Sequence, residues 1–209
     1  IEETGMRGIR RAGVLGDVHG EAEALEASLA FFREARVTDV LCVGDVVDGP
    51  EVGRCLELLR RHEVTVVRGN HERWCLADEM RNLPQATPTL TGDVRDYVAS
   101  WPATLRFETP MGGLLLCHGV GDDDMAELRP TTRGYGLLEI AKLRGLMLDR
   151  EVSFMLGGHT HARMVRRFQG LVAINAGTLA QAHDPCVALL DFETRRFAFH
   201  DAKHGSGMG

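Results

Sequence analysis

Through the first two thirds of the chain, short apolar runs alternate with stretches of helical periodicity, and this alternation limits the fold more than any other feature. Residues 12–15, 40–43 and 64–67 read as strands. Between them, residues 21–36 set Ala22, Leu25, Leu29 and Phe32 on one helical face, with glutamate early and arginine late as the helix dipole favours. Residues 51–62 do the same with Val52, Cys55, Leu56 and Leu59. Strands separated by helices of this length make βαβ units and a mainly parallel sheet.

Beyond Leu83 the pattern loosens, because Pro84 and Pro88 break the helical run. Residues 93–101 make a short helix at best, and residues 105–108 and 114–117 read as a hairpin about Met111-Gly112-Gly113. A Gly- and Asp-rich surface loop is expected over 119–134 and a helix over 136–149. A run of strands follows at 152–156, 164–168, 171–174, 187–191 and 196–200. With no internal repeat and no linker, the reading is one α/β domain over 1–209 with an antiparallel C-terminal part and flexible ends at 1–8 and 203–209. Ile1 is not a natural start and Met6 lies close behind, so the first few residues are expected to be a tag remnant.

A chain of 209 residues buries enough surface to fold without disulfides. The five cysteines are scattered singly without a CxxC pair, which reads as reduced, buried thiols. The longest apolar runs, such as 113–117, fall far short of the roughly 18 residues a membrane span needs. A soluble cytoplasmic protein without a membrane partner is expected. The net charge of −6 argues against stable nucleic-acid binding, since phosphate affinity requires clustered cations.

Five polar motifs begin where apolar runs stop: Gly16-Asp17-Val18-His19-Gly20, Gly44-Asp45-Val46-Val47-Asp48, Gly69-Asn70-His71-Glu72, His118-Gly119 and Gly158-His159-Thr160-His161. Ligand sites in α/β sheets collect beyond the carboxyl ends of strands, so five such loops can converge on one place. Asp17 and His19 alternate, as do His159 and His161, so in extended backbone each pair faces the same way. Carboxylate and imidazole without thiolate suit Mn, Fe, Zn, Ni or Co. Three of the motifs have a plainer reading when taken alone, whereas His-x-His after two glycines points to a metal site by itself. Asp17 fits a turn beside a surface histidine, Asn70 a helix N-cap with Glu72 in the first turn, and His118 a satisfied core histidine. Jointly, five of the nine histidines fall in motifs at strand ends, which chance placement explains poorly.

As an ordered set, Asp-x-His, Gly-Asp-x-x-Asp, Gly-Asn-His-Glu, His and Gly-His-x-His resembles the calcineurin-like metallophosphoesterase superfamily, from Asp17 to His161. The turn Asn175-Ala176-Gly177-Thr178 is similar to the Asn-x-Gly-Ser turn of its small bacterial members. The resemblance implies an α/β four-layer sandwich, two mixed β-sheets face to face with helices outside, and a binuclear centre for two divalent metal ions. By that resemblance Asp17, His19 and His161 hold the first metal, Asn70, His118 and His159 the second, and Asp45 bridges them.

Two dications roughly 3.5–4 Å apart clamp the attacking and leaving oxygens of a phosphoryl group and lower the pKa of a bridging water. His71 is the implied general acid for the leaving alkoxide, and Asp17 either orients His71 or carries metal charge. Asp48 either holds a histidine or is a turn aspartate before Gly49-Pro50, and Glu72 is either a supporting carboxylate or first-turn helix charge.

The superfamily's Ser/Thr protein phosphatases carry an arginine directly after the second aspartate, where this chain has Gly49. The chain therefore resembles the small bacterial phosphodiesterases more closely. The expected activity is manganese-stimulated hydrolysis of a small phosphodiester; phosphomonoesterase or protein phosphatase activity, or a non-catalytic scaffold, are the alternatives. Arg68, Arg73, Arg133 and Arg163 flank the motifs and read as solvated arginines first and phosphate contacts second. Residues 119–136 are expected to select substrate, with the facing of Asp122-Asp123-Asp124 open, and His183 follows the Asn-x-Gly-Thr turn close enough to approach the site.

Overall fold

The computed structural model describes residues 8–203. The first sheet has the order β10-β9-β1-β2-β3, from β1 (Arg11–Leu15), β2 (Asp39–Cys42), β3 (Thr65–Val66), β9 (Cys186–Asp191) and β10 (Arg196–Asp201). The second has the order β4-β5-β6-β8-β7, from β4 (Leu105–Thr109), β5 (Gly112–Leu116), β6 (Phe154–Gly157), β7 (Met164–Phe168) and β8 (Leu171–Asn175). The helices are α1 (Ala22–Glu34), α2 (Val52–Arg61), α3 (Asn70–Ala77), α4 (Gly92–Ala99), α5 (Tyr135–Leu138) and α6 (Ala141–Leu148). This is the expected four-layer sandwich of two mixed sheets flanked by helices.

The apolar runs show no alternation because both faces of the inner strands are covered. Val14 and Leu41 enter the core between the sheets, opposite Leu114, Phe154 and Leu156. Their neighbours Leu15 and Cys42 enter a second core under the helices, with Leu25, Phe32 and Leu59. A third core packs Leu143 and Leu146 of α6 on the outer face of the second sheet.

Three expectations are corrected. The C-terminal part is not uniformly antiparallel: β6 runs parallel to both β5 and β8, while β7 pairs antiparallel to β8 at the edge. Burial explains the order, since β8 carries Ala173 and Ile174 at full burial whereas β7 carries Arg166 and Arg167, which suit an edge. The helix expected over 136–149 is two pieces, because Ile140 leaves helical geometry (φ −81°, ψ 84°) and is buried in the third core. The stretch 119–134 is not wholly superficial, since Val120 and Leu128 are buried in that same core. The expected flexible ends lie outside the described residues except for Gly8 and Lys203, and Gly8 bridges Glu108.

The fold positions the site through strand direction. β1, β2 and β3 run parallel to one another, as do β5 and β6. Asp17, Asp45, Asn70, His118 and His159 each follow the carboxyl end of one of these strands by a few residues.

Candidate metal centre

Each loop is fastened by a bond its own sequence neighbourhood does not supply. Thr178 Oγ1 donates to Asp17 O at 2.7 Å and Leu179 N donates to the same oxygen at 2.8 Å, which fixes the first loop on the Asn-x-Gly-Thr turn. The Asn175 amide in turn braces the histidine pair, donating to Gly158 O and, at 3.1 Å, to Thr160 Oγ1. The fully buried Glu72 accepts the backbone N–H groups of Asp45 (2.9 Å), Val46 (2.7 Å), Val47 (3.0 Å) and Gly69 (2.8 Å). Glu72 therefore clamps the second loop to the third. Gly69, not Asn70, occupies the N-cap of α3, which leaves the Asn70 side chain free to face the centre.

The extended-backbone argument for paired histidines does not hold. His19 (φ 44°), Asp45 (49°), Asp48 (61°), His159 (67°) and His161 (54°) all adopt the left-handed conformation. That conformation costs energy for non-glycine residues and gathers at functional sites. In consequence His159 and His161 do not face the same way: His159 joins Asp45 and His118, while His161 joins His19 and Asp17.

The predicted ligand residues and His71 nevertheless meet in one cluster. Asp45 Oδ2 lies 3.2 Å from His118 Nε2, 3.9 Å from His19 Nε2 and 4.0 Å from His71 Nε2. His161 Nε2 lies 3.2 Å from both His19 Nε2 and Asp17 Oδ2. Asn70 Oδ1 is 2.9 Å from His118 Nε2. Two groups have mutual ligand-atom distances within 4.8 Å: His19, Asp45 and His71, and Asp45, His118 and His159. His71 is as close as a ligand, yet its Nδ1 is committed to Asp48 Oδ2 at 2.8 Å. Asp48, rather than Asp17, holds His71.

The electrostatics ask for cations. Burial raises Asp17 most, and although His118 opposes it, Asp45 adds to the rise and the carboxyl is pushed up to about 7. Asp17 Oδ2 is buried and forms no hydrogen bond among the described residues. Burial would lower His118, but Asp45 and Asp17 outweigh it and push the imidazole up to about 10. A proton thus occupies the side of His118 where a ligand nitrogen would serve, and Nδ1, 2.8 Å from Val43 O, is oriented so that Nε2 faces inward. Burial, with help from His19 and His183, pulls His161 down to about 3, leaving a neutral imidazole that can accept a metal. His19 and His159 are lowered too, mainly by burial. An orphaned carboxylate oxygen, inward carboxylates and neutral imidazoles fit divalent cations.

Around the centre the open readings resolve. Asp124 makes a bidentate pair with Arg73 (2.7 and 2.9 Å), Asp122 pairs with Lys142 at 2.9 Å, and Asp123 accepts Met125 N at 3.1 Å. Arg163 pairs with Asp184 and Asp201, so neither it nor Arg73 is simply solvated, whereas Arg133, among the described residues, bonds the carbonyls of Pro130 and Thr132. A groove of about 250 Å³ opens beside His118, rimmed by Arg68, Arg73, Asp122 and Asp124. The His183 ring rests edge-on against His161, with centroids 4.6 Å apart. Sequence reading missed Arg81 and Thr87, both bound to Asp48, and no local motif marks either of them.

Residues 11–195 match the calcineurin-like phosphoesterase superfamily domain. Over 69 residues the chain is 44% identical to serine/threonine-protein phosphatase 1 of Salmonella typhimurium, a match covering 32% of each protein. The match thus spans only about a third of that curated relative. In overall fold the chain is similar to a metallophosphoesterase from Sphaerobacter thermophilus, at 22% identity with a TM-score of 0.72 over 92% of this chain and 88% of that one. It is equally similar to a hypothetical protein from Pyrococcus horikoshii, at 18% identity with a TM-score of 0.72 and the same coverage of both chains.

Proposed function

The chain belongs to the calcineurin-like phosphoesterase superfamily, and from that premise we propose that it is a phosphohydrolase dependent on two divalent cations, acting on small phosphodiesters in preference to phosphomonoesters. The observation that carries this reading is the convergence of five strand-end loops on one buried cluster, with Asp17 Oδ2 left without a hydrogen bond. In this reading Asp17, His19 and His161 would hold one cation and Asn70, His118 and His159 the other, with Asp45 available to both. When bound, the cations would supply Lewis acidity toward the phosphoryl group and lower the pKa of a water, so that a nucleophile is available near neutral pH, and manganese is the ion we favour.

The chain's own residues do the rest. Val43 O fixes the His118 ring and the Glu72 clamp fixes the Asp45 loop, so the inward donors are held before substrate arrives. His71 gives its Nε2 proton to the departing alkoxide as general acid. Burial alone would lower His71, but the bond to Asp48 and the charges of Asp45, Asp48 and Glu72 outweigh it and raise its pKa, which keeps the acid protonated nearer neutral pH. The groove beside His118 is of a size for a small phosphoester.

Preference for diesters rests on Gly49, which stands where the protein phosphatases carry an arginine. A second reading, phosphomonoester or phosphoprotein hydrolysis, draws on the 44% identity to the Salmonella typhimurium phosphatase. The proposal further has the protein act in the cytoplasm, apart from membranes and nucleic acid. The charge of −6, the five buried free cysteines, and the lack among the described residues of a helix able to cross a membrane support it. With added manganese, bis-p-nitrophenyl phosphate should be cleaved faster than p-nitrophenyl phosphate, and Asp45→Ala or Asn70→Ala should abolish both reactions. Metal-loaded protein that cleaves neither ester would return the scaffold reading.

A further inference from the structure

We infer that Arg81 is a positioning residue for the leaving-group acid: it holds the Asp48 carboxylate in the orientation that aims His71 at the departing oxygen. The inference rests on the phosphohydrolase reading above.

Asp48 is buried, yet every direction around its carboxylate is taken. Oδ2 accepts from His71 Nδ1 at 2.8 Å and from Arg81 Nη2 at 3.1 Å. Oδ1 accepts from Arg81 Nη1 at 2.9 Å and from Thr87 N at 2.7 Å. The Asp48 backbone N–H donates to Thr87 Oγ1 at 2.7 Å, so main chain and side chain are pinned by the same residue. A bidentate guanidinium fixes the plane of a carboxylate as a single donor cannot. Rotation of that plane would carry Oδ2 away from Nδ1 and release the ring.

The guanidinium is itself fixed, since Arg81 Nε donates to Glu79 O at 2.7 Å. It comes from the irregular segment between α3 and α4, where Asp78 (φ 58°), Met80 (φ 51°) and Gln85 (φ 57°) all hold left-handed backbone. Three such residues persist only where surrounding contacts over-determine them, and the double tie to Asp48 is such a contact. The backbone at Asp48 is left-handed as well (φ 61°). Left-handed backbone thus stands on both sides of an ion pair whose carboxylate also holds His71. The Arg81 side chain bonds Asp48 and the carbonyls of Glu79 and Thr87, so its route to His71 runs through Asp48.

General acid assistance matters most when the leaving group is a poor one. The test uses methyl aryl phosphodiesters that differ only in the leaving phenol, assayed with Mn²⁺ on wild type, Arg81→Ala and Arg81→Lys. Expected is a loss of kcat in Arg81→Ala at least about tenfold greater for the phenyl than for the p-nitrophenyl ester. KM and bound manganese should be unchanged, and Arg81→Lys should recover part of the loss. Equal losses on both esters, or none on either, would overturn the inference. A readout free of turnover accompanies it: the ¹H–¹⁵N spectrum of the histidine rings, with His71 assigned through His71→Gln. Wild type should show a slowly exchanging His71 Nδ1–H that disappears in Arg81→Ala, and its persistence would equally overturn the inference. A wild type that turns over no ester defeats the phosphohydrolase reading alone, because the ring spectrum still tests whether Arg81 holds His71 through Asp48.

Discussion

His71 and Glu72 are neighbours in sequence with opposite tasks. His71 turns its ring toward Asp45 and Asp48, while Glu72 turns inward and spends both oxygens on four backbone donors. Their substitutions should separate accordingly. His71→Gln should lower kcat by about 10²–10⁴-fold while metal content and melting temperature hold, measured by elemental analysis and thermal melts. Glu72→Ala should instead destabilise the fold by about 3 kcal/mol or more, because it leaves four buried N–H groups without an acceptor, and chemical denaturation would read the loss. The histidine was legible in Gly-Asn-His-Glu, and the glutamate stood open between two readings. Its three partners at 45–47 lie 25 to 27 residues away and mark nothing in its own neighbourhood.

Elements were legible where periodicity was strong. The expected strands at 12–15 and 40–43 and the helices at 21–36 and 51–62 stand within one or two residues of β1, β2, α1 and α2. The expected helix at 136–149 failed because Ile140 gains more from burial than from continuing the helix. Between elements, close approach of loops decides what a residue can be. A Cβ on Gly49 would stand 1.8 Å from His19 O, so the loop after β2 and the loop after β1 touch backbone to backbone. Gly49→Ala should therefore weaken metal binding by more than about tenfold and cost about 2–3 kcal/mol, by calorimetric titration and melts. Gly145, exposed in the middle of α6 with open space around its Cβ position, is the contrast: Gly145→Ala should stabilise by about 0.5–1 kcal/mol. The same contact at Gly49 gives a physical reason why no arginine stands there in this chain.

For the molecule as a whole, the centre links stability to protons and metal. His118, pushed up to about 10 from 6.5, binds its proton more tightly in the folded state, and His71 is raised in the same sense. Above pH 7 the lowered histidines are neutral in the folded state and a shrinking minority protonated in the unfolded one, so their opposing share fades across the window, while Asp17, pushed up to about 7, adds a loss of the same sign. Protein stripped of metal should then lose stability as pH rises from 7 to 8.5, by about 1 kcal/mol per pH unit, since the folded state carries the extra protons. The buried thiols, raised by burial, add a loss of the same sign at higher pH, which sets the upper limit of the window. Manganese should raise the melting temperature and flatten this slope, because a cation at His118 Nε2 displaces the proton whose loss drives it. A melting temperature of stripped protein that climbs between pH 7 and 8.5 would contradict the assignment.

The sequence by itself determined the inventory: strands ending in Asp, Asn and His, helices between them, and the residue types of a divalent-metal site. These follow from local periodicity and from which side chains can ligate, both of which a chain carries before it folds. Tertiary structure alone decided the pairings. It split His159 from His161 between two groups, gave His71 to Asp48 rather than Asp17, brought Arg81 and Thr87 across 33 and 39 residues to that carboxylate, and set Glu72 under the Asp45 loop. Such pairings depend on which loops the two sheets press together, and that is fixed by burial of apolar faces far from the site, so no short stretch of sequence contains it.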